Sequence, residues 1–189
     1  MIEWLIALDK QLLLAINAQN TPFWDSVMWF ISGKFSWLPL YLGILAYPFY
    51  RKGWRTGLAT VLAIAAVVAI ADQSSVIFFK NVFCRYRPTH NLIIGPMVHL
   101  VNGYKGGMYG FVSSHAANTF AVAVLTGLLF RNRYYMAGIL FWASLVSFSR
   151  VYLGVHYPAD VAVGALVGVA SACILYFILR KYWPQYSAI

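Results

Sequence analysis

Charge is scarce in this chain of 189 residues: Asp, Glu, Lys and Arg together make up 10%. A soluble domain carries about 25%, so these side chains cannot cover a water-exposed globular surface. Acidic residues are the rarest, five in all, and they form no carboxylate cluster of the kind that holds Mg²⁺. There are two cysteines, Cys84 and Cys173, without metal-like or redox spacing. They read as free thiols that say nothing of compartment. No polar linker or internal repeat divides the chain, which predicts one domain. The N-terminus has no basic start and no small-residue cleavage site, so a removed signal peptide is not expected. The glycines between residues 81 and 114 match neither a Walker nor a dinucleotide loop.

What is present is apolar. Hydrophobic residues make up 61% and the mean hydropathy is +0.69, a composition suited to lipid. The net charge of +9 does not point to nucleic acid, because the basic residues form no single stripe and sit in short joints between apolar runs. Aromatic residues gather near the ends of those runs (Trp54, Tyr134, Tyr135, Tyr182, Trp183), as in interfacial belts. The reading is an all-α, polytopic transmembrane helical bundle of five to six spans.

Residues 1–22 place Trp4, Leu5, Leu8, Leu12, Ala15 and Ile16 at helical spacing, interrupted by Asp9 and Lys10. They predict an amphipathic helix lying in the interface, or an extra span. The remaining domain, 23–189, holds a stretch broken near Gly33-Lys34 with its clean part at 35–50. Further runs follow at 54–79, 115–130, 134–149 and 158–180. A helix needs about 20 residues to cross a bilayer core, so the two middle runs are short. The joints 51–55, 131–133 and 180–181 carry Arg51, Lys52, Arg55, Arg131, Arg133, Arg180 and Lys181. The positive-inside rule puts that side in the cytoplasm and the 81–114 loop and 149–158 turn outside.

Three polar segments then reach the same outer face. Lys80 ends one run and is followed by Arg85, Arg87 and Pro88. Ser113, Ser114 and His115 open the next, and a turn carries Ser149, Arg150, His156 and Asp160. His156 and Asp160 are four apart across Pro158, on one face of a first helical turn. A carboxylate there fixes the imidazole tautomer and stabilises its cation, as a nucleophile or base requires. Ser113 and Ser114 at a helix N-terminus mark an anion site, and arginine forks match phosphate oxygens. Such a pocket suits a phosphoryl group.

These segments resemble the type 2 phosphatidic acid phosphatase (PAP2) superfamily of integral membrane lipid phosphatases, whose fold is shared with vanadium haloperoxidases. The family pattern K-x6-R-P is met by Lys80 through Arg87-Pro88, and S-R-x5-H-x3-D by Ser149-Arg150 through His156 to Asp160. P-S-G-H is met in part by Val112-Ser113-Ser114-His115, where the proline and glycine are replaced. The loop YKGGMYGFVSSHAANTF also looks like phosphatases of Bacteroidetes-type bacteria. The resemblance implies hydrolysis of a lipid phosphate or pyrophosphate, such as undecaprenyl diphosphate or lipid A, at the outer leaflet of a bacterial inner membrane. His156 would attack phosphorus, Asp160 orient it, and His115 serve as acid and then base. Lys80, Arg87, Arg150 and Ser113, with Ser114 beside it, would hold the phosphate, with Arg85 an additional candidate. No metal or other cofactor is implied.

Blander roles are open to the same residues: helix capping for His156 and Asp160, snorkelling for Lys80 and Arg87, and bundle bracing through Ser or Gln neighbours for Asp72. For His90 and His99 in the outer loop, solvent exposure is the expectation, with contact to a lipid headgroup the alternative. Gly164 and Gly168 form a GxxxG that would serve internal packing first and a weak homodimer second. The rival functions are a soluble haloperoxidase, a non-catalytic lipid-phosphate carrier or sensor, and a transporter. The apolar spans, the complete catalytic set and the lack of broken paired helices speak against each in turn.

Overall fold

Proline and glycine set the helix boundaries. The computed structural model describes residues 2–186 and 189; Met1, Ser187 and Ala188, at or near the ends of the two expected regions, lie outside the described residues. α1 (Ile2–Asn17) is followed by α2 (Pro22–Ser32), which starts at a proline with the Thr21 hydroxyl accepting from the Trp24 amide at 3.2 Å. It stops at Gly33, as the break near Gly33-Lys34 predicts. A 3₁₀ turn at Phe35–Trp37 leads into α3 (Leu38–Ser74), interrupted at Gly53 by a φ of +80°. Only glycine adopts that value cheaply, so the runs at 35–50 and 54–79 meet at a one-residue bend with helix on both sides.

A π-helical turn, Ser75–Lys80, carries the chain into the short α4 (Asn81–Phe83). The outer connection then makes three 3₁₀ turns, at Pro88–His90, Gly95–Met97 and Val101–Gly103. α5 (Ser114–Phe130), α6 (Arg133–Tyr152) and α7 (Pro158–Tyr182) complete the bundle, and there is no strand among the described residues. α6 runs further than its apolar pattern suggests. Ser149 and Arg150 sit in its last turn, where a connecting turn was expected, because Leu153 and Gly154 end the helix.

α5 is the central helix, packed on α7, α6 and α3. Its alanines allow the close approach: Ala116, Ala117, Ala121 and Ala123 are fully buried. Gly164 and Gly168 of α7 face it. A Cβ on Gly164 would lie 2.6 Å from the Ser113 carbonyl oxygen, and one on Gly168 2.9 Å from the Ala121 nitrogen. The GxxxG is therefore used within one chain. Asp72 of α3 accepts from Asn118 Nδ2 of α5 at 3.3 Å, so it does brace the bundle, but through an asparagine.

The outer surface is apolar, with Leu62, Ile70, Phe141, Leu166, Ile174 and Phe177 exposed. Soluble monomers rarely present such continuous patches. The stretches Phe35–Phe83 and Pro158–Tyr182 are long and apolar enough to cross a membrane, and Ser114–Phe130 is a shorter apolar helix.

α1 turns Trp4, Leu5 and Leu12 outward and buries Asp9, Leu13 and Asn17 at every fourth residue. Asn17 Nδ2 donates to the carbonyls of Tyr152 (2.8 Å) and His99 (3.1 Å), and its Oδ1 accepts the His99 amide at 2.8 Å. Asp25 of α2 accepts from His99 Nε2 and from the Tyr152 hydroxyl, both at 2.8 Å. His99 thus keeps the solvent access expected, with its side chain 37% exposed, and also clasps the outer loop to α2. His90 is half-buried, its Nδ1 3.1 Å from the Thr89 hydroxyl.

Candidate active site

Three local structures deliver the polar side chains to one end of the bundle. The π turn ends at Lys80, whose Nζ donates to Ser114 Oγ at 2.6 Å. Ser114 Oγ lies 2.7 Å from Ser75 Oγ, and Ser75 donates to the Asp72 carbonyl at 2.7 Å. The Ser114 hydroxyl is thereby spent on holding Lys80. Ser113 is the N-cap of α5, its oxygen 3.5 Å from the Ala116 amide. It leaves a hydroxyl proton and the first-turn amides for an anion.

Arg87 follows the loop's isolated pairing of Tyr86 with Tyr109. Its Nε donates to the Tyr109 carbonyl at 3.2 Å and its Nη1 to the Val155 carbonyl at 3.4 Å. Burial first, and then the charge of Arg150, hold Arg87 below its ordinary pKa. Gly110 packs tightly here, since a Cβ there would stand 3.0 Å from both Arg87 Cγ and Asp160 Oδ2, so either side chain would have to shift by a few tenths of an ångström.

Arg150 is 3% exposed. Its Nη1 donates to Ser32 of α2 and its Nη2 reaches the Tyr104 hydroxyl at 3.5 Å, while its Nε is buried with no protein partner. A guanidinium held on one edge with a donor left over fits an anion. Its carbonyl accepts the amides of Val155 and His156 at 3.2 and 3.3 Å, which shapes the turn that carries His156.

His156 is 1% exposed, with Nδ1 3.5 Å from Asp160 Oδ2. That is an electrostatic contact, longer than a hydrogen bond. The Gly110 carbonyl also faces the ring and favours its charged form, but burial and the charges of Arg87, Arg150 and Lys80 outweigh it. They hold His156 well below its usual pKa, so the resting imidazole is neutral. Asp160 Oδ2 accepts the Tyr157 amide at 3.1 Å, the carboxylate half of a capping box that starts α7. His115, in the first turn of α5, is within electrostatic reach of Arg150, His156, Lys34 and Arg87.

Lys80, Arg87, Arg150, Ser113, Ser114, His115, His156 and Asp160 are therefore together. Arg85 is apart from the phosphate side. It stands behind Asp160, donating to Asp160 Oδ1 and to Asp9 Oδ2, each at 2.7 Å. Its guanidinium carbon lies 4.0 Å from the Tyr157 ring centroid. Burial pushes the Tyr157 phenol up to about 12.

Lys34, Tyr104, Ser32 and Asp9 carried no motif and were missed. Lys34 at the break before α3 had a signal, a cation between apolar runs. Burial pushes the Tyr104 phenol up, but Arg150, Arg87 and Lys34 together bring it below its ordinary value. Below His115, Asn118, Thr119 and Val122 continue the same face of α5 at i+3, i+4 and i+7. With Tyr41, Ile44 and Trp142 they line an apolar slot of about 310 Å³.

The model of the PAP2 superfamily matches residues 37–184. The lipid A 4'-phosphatase of Bacteroides thetaiotaomicron is 41% identical over 182 residues, covering 96% of this chain and 81% of its own. That of Porphyromonas gingivalis is 35% identical, covering 96% and 78%. The crystal structure of a PAP2-type phosphatidylglycerolphosphate phosphatase from Bacillus subtilis superposes with a TM-score of 0.72 at 23% identity, over 94% of this chain and 87% of that one. Fold, motifs and relatives agree: the chain belongs to the PAP2 superfamily and is a membrane-embedded phosphatase.

Proposed function

We propose that this membrane lipid phosphatase removes a phosphate from a lipid of the lipid A type through a phosphohistidine on His156. The observation that carries the reading is a buried, neutral histidine paired with Asp160 and facing Lys80, Arg87 and Arg150. His156 Nε2 attacks phosphorus as the P–O bond to the lipid breaks, and His115 gives its proton to the departing oxygen. The bound phosphate's negative charge favours the protonated form of His115. In the second half His115 takes a proton from water, the resulting hydroxide attacks phosphorus, and the P–N bond breaks to release phosphate. Asp160 stabilises the imidazolium. Lys80, Arg87, Arg150, Ser113 and the α5 amides neutralise the equatorial oxygens, supplying the positive charge that a metal ion would otherwise bring.

The choice of lipid A over undecaprenyl diphosphate rests on the two relatives named for lipid A. The slot below His115 would take an acyl chain. Five spans are supported by the bend at Gly53, which divides a helical stretch too long for one crossing, followed by α5, α6 and α7. α1 then forms a separate interfacial helix on the site side, its exposed Trp4 and Leu5 toward lipid. The basic joints support a reading in which the opposite side lies in the cytoplasm of a bacterial inner membrane and the site in the periplasm. Phosphate release from lipid A in detergent micelles, with His156→Ala as the blank, tests the reading. Equal release by both proteins contradicts it.

A further inference from the structure

The mechanism uses one face of Asp160, yet its other oxygen is engaged in a chain that ends on α1. Asp160 Oδ2 faces His156 at 3.5 Å, while Oδ1 accepts Arg85 Nη1 at 2.7 Å. The other nitrogen of that guanidinium donates to Asp9 Oδ2 at 2.7 Å. Asp9 Oδ1 accepts the amide of Ala159 at 2.9 Å, in the first turn of α7 beside Asp160 itself. Asp9 is 8% exposed and Asp160 fully buried, and Arg85 is flanked on its face by the Tyr157 ring at 4.0 Å. A single carboxylate of α1 thus fixes both the backbone that carries Asp160 and the cation that Asp160 pairs with.

The signs along this chain alternate. Arg85 and Asp160 alone would cancel, leaving nothing to balance a cationic imidazole already surrounded by Lys80, Arg87 and Arg150. With Asp9 the trio carries one net negative charge, and the positive charge that develops when His156 bonds phosphorus completes the alternation. We propose that Asp9, acting through Arg85, is a positioning residue of the phosphatase: it orients Asp160 and supplies the negative charge against which phosphorylated His156 forms. The proposal rests on the phosphohistidine reading above. It also changes the role of Arg85 from phosphate ligand to the link between the two carboxylates.

The test uses the full chain in detergent micelles with lipid A as substrate, comparing Asp9→Asn, Asp9→Glu, Arg85→Gln and the double variant D9N/R85Q. Asp9→Asn is expected to lower kcat by roughly tenfold or more with KM within about twofold. Inhibition by inorganic phosphate, which reports ground-state binding, stays unchanged. Inhibition by orthovanadate, which adopts the five-coordinate geometry of the phosphoryl group in transfer, weakens in step with kcat/KM. Asp9→Glu recovers part of kcat, and the double variant is no worse than Arg85→Gln. A merely structural α1 contact would instead lower kcat, phosphate inhibition and vanadate inhibition together, along with the yield of monodisperse protein. That outcome, or a kcat within about twofold of wild type, overturns the proposal. Should Asp9→Asn not yield folded protein, Arg85→Gln is judged by the same criteria, and an unchanged kcat there overturns it equally. Activity surviving in His156→Ala faults the phosphohistidine reading instead.

Discussion

In the proposed mechanism His156 meets opposing demands on one ring. Burial and three cations hold it well below its usual pKa, and the carboxylate of Asp160 stands ready for the charge that the proposed reaction creates. The sign of the pH effect follows. A histidine whose pKa is depressed stays unprotonated below the usual value near 6.5, so kcat/KM should hold on acidification past pH 6.5. An acid limb centred at or above 6.5 in the kcat/KM profile would show that the cations do not act on the nucleophile. His115→Ala should lower kcat by about 10²–10⁴, the usual worth of a positioned acid–base group, as read by steady-state phosphate release. Because Lys80, Arg87 and Arg150 carry the charge, turnover should persist in EDTA. Loss with EDTA and recovery on adding Mg²⁺ would contradict the metal-free chemistry. The motif residues were legible because each has a chemical type and a fixed spacing. Arg85, equally basic and two residues before Arg87, was misplaced because a spacing does not say which way a side chain turns. Asp9 and Ser32 were invisible for another reason: their partners lie 76, 150 and 118 residues away.

Among the elements, α5 does two things at once. Its N-terminus contributes Ser113, Ser114 and His115 to the site, and its small residues let α7 approach closely enough to set Asp160 opposite them. The Ser113 amide donates to the Asp160 carbonyl at 2.9 Å. Gly168→Val should therefore destabilise the protein by about 1–3 kcal/mol or more through overpacking, seen as a lower Tm in detergent. An unchanged Tm would mean that the two helices have room to part. The slot between α3, α5 and α6 makes a separate prediction. Filling it with Ile44→Trp should raise KM for long-chain lipid phosphates and leave a water-soluble phosphate ester unaffected; an equal effect on both would rule the slot out as an acyl site. The apolar runs were readable because lipid solvation imposes long hydrophobic helices. The extension of α6 through Arg150 was not, since the polar residues that end its apolar pattern are still helical and buried. The clasp of Asn17, Asp25, His99 and Tyr152 could not be foreseen either, because nothing local marks such partners.

The molecule as a whole is an apolar bundle with its chemistry at one end, roofed by α1, α2 and the outer loop. The proposed topology, with the basic joints opposite the site in the cytoplasm, predicts that a thiol probe applied to intact cells reaches the exposed Cys84 from outside. Labelling only after the inner side is opened would invert the topology. The central claim is that His156 hydrolyses the phosphate of a membrane lipid, and it is tested most directly by phosphate release from purified protein in micelles. Lipid A, undecaprenyl diphosphate, phosphatidylglycerol phosphate and phosphatidic acid would be compared for the wild type and His156→Ala. The account predicts release from lipid A above the other three, and none from His156→Ala. Release from no lipid above that blank would contradict it.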